Sequence, residues 1–464
     1  MKKKLVGLLM CVSMMAVMLA GCGGSGGAQK EAETPKDEPA ATEAEGEEAT
    51  TEDEAAGDFA GEELSILVSA GWMDERYDET ISRFEETYGV SVDLQTIPAD
   101  QYDDILQSKL STDSCADIFW IQSNPFAIDS VIVNPEEYCI DFTGAQWQSV
   151  MPESRWSSCM TNDKLYGLQI WHNSPEYVMI YNKTMFEEMN IEVPNSYAEF
   201  LAVCDKVAAE GITPWFVPGA DGWQHQLSFF QIGGIYEETE PGLYDALNNN
   251  TKTFAENEKM LEVLGQYKEL SDKGYLGEDW IGTDSTNMAN EFGDRNIAMA
   301  MGNSSFIKQI KEDTGTEDEF GMFLIQLGDN DTYPTNPAGP TMFGYNKSEH
   351  PELVKTFFEF VTTTESLQEI LDNSPQYTNL DVNDDNLEQH WLPEEEEFIG
   401  TVDSAKMTTS VLQSGTKYTN DYWMNFGADM VAYCQGTMEA KEVLENMDSN
   451  RAESAKVAGD EAWN

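Results

Sequence analysis

The side chains in this 464-residue chain that could do chemistry are indoles, amides and carboxylates, not nucleophiles or metal ligands. Trp72, Trp171, Trp223 and Trp423 stand at turn-like positions. An indole so placed offers a flat apolar face to a ring-shaped ligand, whose hydroxyls then need amide, imidazole or carboxylate partners once water is gone. Asn124, in the loop after a predicted strand, is such a partner, and the adjacent pair Trp171-His172 reads as exposed. Trp120, on that strand, reads as core. His172, His225, His350 and His390 lack H-x-x-x-H or similar spacing, so no metal site is expected. There is no G-x-S-x-G and no P-loop, so no catalytic residue and no cofactor is assigned. With 85 acidic residues some carboxylate pair is always within reach, which makes such pairs uninformative. Glu394 to Glu397 read as a solvated run. Arg76, Arg83, Arg155, Arg295 and Arg451 are the five arginines, so a bidentate carboxylate or phosphate clamp is thinly supplied. That favours a neutral ligand over an acidic sugar, an amino acid or a phosphate ester.

The elements that must position these groups alternate. Leu64 to Val68 reads as a short strand, followed by a helix over 74–88 with Tyr77, Ile81, Phe84 and Tyr88 on one stripe and Gly89 at its end. A second strand over 90–94, a helix over 102–110 and a third strand over 117–121 complete a pattern that predicts a parallel sheet with helices on its faces. Residues 177–181 form a continuous apolar run, as in a buried strand. A helix follows over 184–189, and Ser196 stands three residues before Glu199 as in a capping box. Tyr197, Phe200, Leu201, Cys204 and Val207 then recur at helical spacing, with Gly211 as the stop and Cys204 as plain core. Later strands are predicted over 320–323 and 342–347, and an amphipathic helix over 350–360 turns Leu353, Val354, Phe357 and Phe360 inward.

At this length two lobes are expected rather than one core. Lys2-Lys3-Lys4 and the apolar run from Leu5 to Leu19 form a signal peptide too short to span a bilayer permanently. It ends in Leu19-Ala20-Gly21-Cys22, which resembles the bacterial lipobox, so Cys22 is the expected lipidation site and the lipid is the only expected contact with the membrane. Residues 22–63 read as a disordered acidic tether, with almost no large apolar side chains to bury. The net charge of −59 excludes nucleic acid as a partner, because binding it needs phosphate neutralisation. So many carboxylates read as a solvated, mutually repelling surface, and no D-x-D-x-D-G calcium loop accompanies them. Once Cys11 leaves and Cys22 is consumed, Cys115, Cys139, Cys159, Cys204 and Cys434 remain; five is odd, so at least one thiol is unpaired within a monomer.

Four pieces of sequence in order carry a family resemblance: Lys164-Leu165-Tyr166-Gly167, Tyr181-Asn182-Lys183, Pro194 to Phe200, and Gly211-Ile212-Thr213-Pro214. With Phe84…Gly89-Val90-Ser91-Val92, Ala116-Asp117-Ile118-Phe119 and the stretch 290–304, they resemble the family 1 extracellular solute-binding proteins of carbohydrate ABC importers, which are maltose-binding-protein-like. Gln169 departs from the family pattern, which usually has Pro there.

The resemblance, covering roughly 62–450, implies an α/β fold of two lobes, each a central sheet flanked by helices, with a ligand cleft between them. Residues 64–172 with 300–342 would form the first lobe and 173–299 with 343–464 the second, joined by crossovers near 173, 300 and 342. It implies that Trp171, His172 and Asn173 lie at the first crossover. Asp221 and Trp223 would belong to a loop presenting an indole to ligand, and Asn303 would end a strand that returns to the first lobe. Together with Trp72, Asn124 and Trp423 these are the expected ligand contacts. The implied function is capture of a neutral sugar or oligosaccharide outside the cell by a lipid-anchored monomer, which closes about a hinge and delivers its cargo to permease subunits without catalysis. A polyamine- or peptide-binding protein, or an exported polysaccharide-active lipoprotein enzyme, are the alternatives.

Overall fold

The run Leu64-Ser65-Ile66-Leu67-Val68 forms the middle of strand β1 (Glu63–Ser69), whose side chains from Ile66 to Val68 are all buried. The computed structural model describes residues 59–463 apart from 133, 173, 174, 176, 221–223, 335, 375, 376, 404, 405, 409 and 410. Cys22, Asn173, Asp221 and Trp223, the signal peptide and all but the end of the tether therefore lie outside the described residues. No helix among the described residues is long and apolar enough to cross a membrane.

After β1 come helix α1 (Asp78–Tyr88), strand β2 (Ser91–Ile97), helix α2 (Ala99–Ser111) and strand β3 (Ile118–Ser123). The predicted stripe on α1 is inward: Tyr77 and Phe84 are buried, Ile81 and Tyr88 pack at the margin, and Gly89 ends the helix at φ 67°. Next in chain order are β4 (Gly167–Leu168), β5 (Val178–Asn182), α3 (Tyr197–Ala209), β6 (Thr213–Phe216), β7 (Ile297–Gly302), β8 (Phe320–Phe323), β9 (Gly339–Gly344), α4 (Pro351–Val361), α5 (Thr364–Asp372), α6 (Pro393–Thr401), α7 (Trp423–Cys434) and α8 (Ala440–Ala458). Ser196 caps α3, its Oγ accepting from Glu199 N at 3.3 Å. The reciprocal half of the capping box is displaced by one residue, because the Glu199 carboxylate accepts from Asn195 N at 2.8 Å instead of from the cap residue.

Two sheets organise these elements. The first has the order β2-β1-β3-β9-β4, with β1, β2 and β3 parallel and β9 antiparallel to β3, Met342 opposite Trp120. The second has the order β8-β5-β7-β6. Each has its own core. Around the first sheet, α4 buries Leu353, Val354, Phe357 and Phe358 completely, at about 1.5–3 kcal/mol for each large apolar side chain. Around the second, Phe200, Cys204 and Val207 of α3 pack with Trp215, Met299 and Phe323. Trp120 and Cys204 are core, as their positions in the sequence imply.

The path between the sheets corrects two expectations. Strand β7, predicted to return to the first lobe near residue 300, instead lies in the second sheet between β5 and β6, and β8 pairs there with β5. Residues 300–323 are thus partners of the second sheet. Conversely β9, α4 and α5 build the first sheet and its core, so 343–372 do not belong with the second. The chain crosses between β4 and β5, again between β8 and β9, and a third time between Leu387, in the first core, and Phe398, in the second. A run of buried apolar residues specifies a strand but not its neighbour.

Candidate ligand-binding cleft

β3 is parallel to β1, and its carboxyl end opens between the two cores, where ligand clefts form in open α/β sheets. A cavity of about 790 Å³ lies there. One wall comes from the first sheet: Asp103 and Gln107 on α2, Gln122 at the end of β3, then Asn124 and Phe126. The other comes from the second core: Gln413, Thr416, Tyr418 and Asn420, with Asn450, Glu453 and Ser454 of α8. Asn124 is shaped by a local turn, its Oδ1 accepting from Phe126 N at 2.8 Å.

The lining is chiefly amide and hydroxyl, with two carboxylates, Asp103 and Glu453, and no Lys, Arg or His among the described residues that line it. The five guanidinium groups are all engaged elsewhere. Arg76 pairs with Asp74 at 2.8 Å and lies 4.3 Å from the Tyr377 ring centre. Arg83 binds Glu369 at 2.8 Å, Arg155 binds Asp381 at 2.7 Å and Arg295 binds Asp318 at 2.5 Å. Arg451 is fully buried and donates to the carbonyls of Lys417 and Leu247. Two polar atoms of cavity-lining residues, Gln413 Oε1 and Asn450 Nδ2, are buried without a hydrogen-bond partner. One is an acceptor and the other a donor.

Of the expected contacts, Asn124 lines this cavity. Trp72 follows β1 and meets Tyr102 edge-on at 5.2 Å, against the same helix that supplies Asp103 and Gln107. Tyr102 is itself pinned by donating to the Trp120 carbonyl at 2.6 Å. Trp171 and His172 pack on Tyr377, with centroids 5.3 and 4.7 Å away. The pair is not exposed: Trp171 is half-buried and His172 is 7% exposed, because Tyr377 packs on both and Asp381 N donates to the Trp171 carbonyl. Asn303 follows β7 and accepts from Ser305 Oγ at 3.1 Å. Trp423 opens α7, half-buried against the second core, with its indole Nε1 buried and unpartnered. These five do not line the 790 Å³ cavity.

The contribution of α8 was missed by sequence reasoning. Asn450, Glu453, Ser454 and Val457 recur at helical spacing, a signal that looks the same as any solvated helix face. Glu395 was also misread as part of a solvated run. It is fully buried and accepts from Thr378 Oγ1 at 2.7 Å, from Leu392 N at 2.7 Å and from Ser304 Oγ.

The family described as bacterial extracellular solute-binding protein matches residues 79–383. A multiple sugar-binding protein of Streptococcus mutans is 24% identical over 356 residues, covering 71% of this chain and 82% of the relative. A Bacillus subtilis binding protein in an open conformation superposes with a TM-score of 0.68 at 14% identity, covering 87% of this chain and 100% of that one. A Bacillus licheniformis sugar transporter protein in complex with stachyose gives 0.65 at 16% identity, covering 84% and 100%. Those two superpositions establish a shared two-lobed α/β fold, and the family match spans well over half of the sequence: the chain belongs to the bacterial extracellular solute-binding proteins.

Proposed function

We propose that this chain is the substrate-binding protein of an ABC importer and captures a neutral sugar or oligosaccharide. The observation that carries this reading is the lining of the cleft: amides and hydroxyls from both cores, and no cation among the described residues that line it. The sugar-binding name of the Streptococcus mutans relative and the stachyose held by the Bacillus licheniformis protein support the same class. Ligand bridging the two walls favours the closed arrangement in proportion to its differential affinity. Trp72, Trp171, His172, Asn173, Asp221, Trp223, Asn303 and Trp423 are further contacts in this reading, brought to the ligand as the lobes close. The protein acts as a monomer without catalysis, held outside the cell by lipid on Cys22, and hands its cargo to permease subunits.

Asp103 and Glu453 favour a second reading, a cationic ligand such as a polyamine. A thermal-shift screen of the mature protein separates the two, using neutral mono- and oligosaccharides, uronic acids, polyamines and amino acids. Ligand at about 100 times its Kd adds about 2.7 kcal/mol of stability. Stabilisation by neutral saccharides, which are recovered unaltered, is the expected result. A response to polyamines or amino acids alone overturns the carbohydrate assignment, and release of saccharide fragments overturns the absence of catalysis.

A further inference from the structure

α2 has two faces and a cavity against each. Asp103 and Gln107, one turn apart, face the cleft, while Asp104, Ser108 and Ser111 form the adjoining stripe and line a second cavity of about 670 Å³. The two cavities adjoin, with Gln107 and Val131 lining both. From Asp103 to Ser111 the helix advances about 12 Å, so the two cavities together follow about 12 Å of α2.

The second cavity has the chemistry of the first. Gln107 and Asn134 supply amides, Ser108 and Ser111 hydroxyls, and Val131 and the Tyr138 ring supply apolar surface. Of its two carboxylates, Asp104 and Glu137, the second is already matched, accepting from Lys347 Nζ at 2.7 Å and from Asn134 Nδ2 at 2.9 Å. No Lys, Arg or His lines it among the described residues.

We infer that the ligand site continues out of the cleft along α2, and that this second cavity takes the far end of an oligosaccharide whose near end sits between the lobes. The inference rests on the saccharide reading of the cleft and adds a length preference to it. One molecule reaches both by passing over Gln107 and Val131, which border the two cavities. A short saccharide engages the cleft alone, and a longer one gains contacts with Ser108 and Asn134.

The test is calorimetric titration of the mature chain with two length series: sucrose, raffinose, stachyose and verbascose, and chitin oligosaccharides from the dimer to the hexamer. Wild type is compared with Ser108→Trp, which fills the second cavity from an exposed helix position, and with Ser108→Ala, which removes one hydroxyl and little else. In whichever series binds, affinity rises with length for wild type. Ser108→Trp then lowers affinity for the longest member about tenfold or more while leaving the shortest within about twofold, and Ser108→Ala shows a smaller loss confined to long members. Equal affinity across lengths, or a loss in Ser108→Trp that is the same for short and long members, overturns the extended site while leaving the cleft reading intact. Failure of every saccharide of both series to bind wild type overturns the cleft reading and the extension together.

Discussion

The Arg155 guanidinium donates to the backbone carbonyl of Asn336 at 2.9 Å, and this bond joins the helical turn Glu153–Trp156 to the second crossing between the sheets. The same side chain donates to the His172 carbonyl of the first crossing at 2.9 Å and to Asp381, in the loop between α5 and Leu387, at 2.7 Å. The Asn336 side chain in turn accepts from Ser414 Oγ at 2.9 Å, one residue from the cleft-lining Gln413. The first two crossings and the loop after α5 are thus tied to one side chain, and Arg155 is 4% exposed. Arg155→Met leaves the Asp381 carboxylate and two carbonyls without their donor, a loss expected to cost about 3–5 kcal/mol. Urea unfolding of the variant should show a lower midpoint with an unchanged slope, and a shift worth under about 1 kcal/mol would show that these segments are held by other contacts.

Glu395 is a second buried junction, between Ser304 after β7 and Thr378 before the third crossing. Glu395→Ala strands two hydroxyls and the Leu392 N–H, a loss of about 3 kcal/mol or more, whereas Glu395→Gln keeps one acceptor oxygen and costs about 1 kcal/mol. Denaturant midpoints of the two variants should therefore differ clearly. Equal loss in both would mean that the negative charge, not the acceptor geometry, holds this junction.

The contrast between Ser196 and Glu395 shows what the sequence makes legible. The partner of Ser196 is three residues away, so the cap can be read from the chain; the partner of Glu395 at Ser304 is 91 residues away, and nothing in the run of four glutamates marks the buried one. Likewise the inward stripe of α1 and the core position of Trp120 follow from local periodicity. The sheet to which β7 belongs does not, because a fully buried strand reads the same in either core. Among the lining residues Asn124 was legible as the residue after a strand's carboxyl end. The α8 wall was not, since it reaches the cleft only after the chain has crossed between the cores three times.

His225 is fully buried beside Trp280, and its Nδ1 lies 2.8 Å from Tyr267 OH. Burial holds its pKa down to about 4, against 6.5 for an ordinary imidazole, and the neighbouring Gly219 backbone offsets this only in part. Between these values the unfolded chain binds a proton that the folded chain refuses. The stability associated with neutral His225 is therefore fully present above the unfolded value of 6.5 and is lost as pH falls towards 4, by up to about 3 kcal/mol. His225→Gln removes this contribution, so the stability difference between wild type and variant, followed by urea unfolding across that window, should shrink as pH falls. A difference that stays constant with pH would show that His225 titrates normally.

Gln413 Oε1 and Asn450 Nδ2 give the cleft a signature that separates binding from folding. A buried polar atom without a partner costs the ligand-free protein stability, and a ligand hydroxyl that reaches it recovers that cost on binding. Gln413→Ala and Asn450→Ala should therefore move the two observables apart. The Tm of the ligand-free protein stays constant or rises, while affinity for the best saccharide of the screen falls by about 1–2 kcal/mol, roughly five- to thirtyfold. Calorimetric Kd and ligand-free Tm, measured on the same preparations, check both. Loss of Tm in parallel with loss of affinity would assign these two side chains to the packing of α8 and not to the ligand.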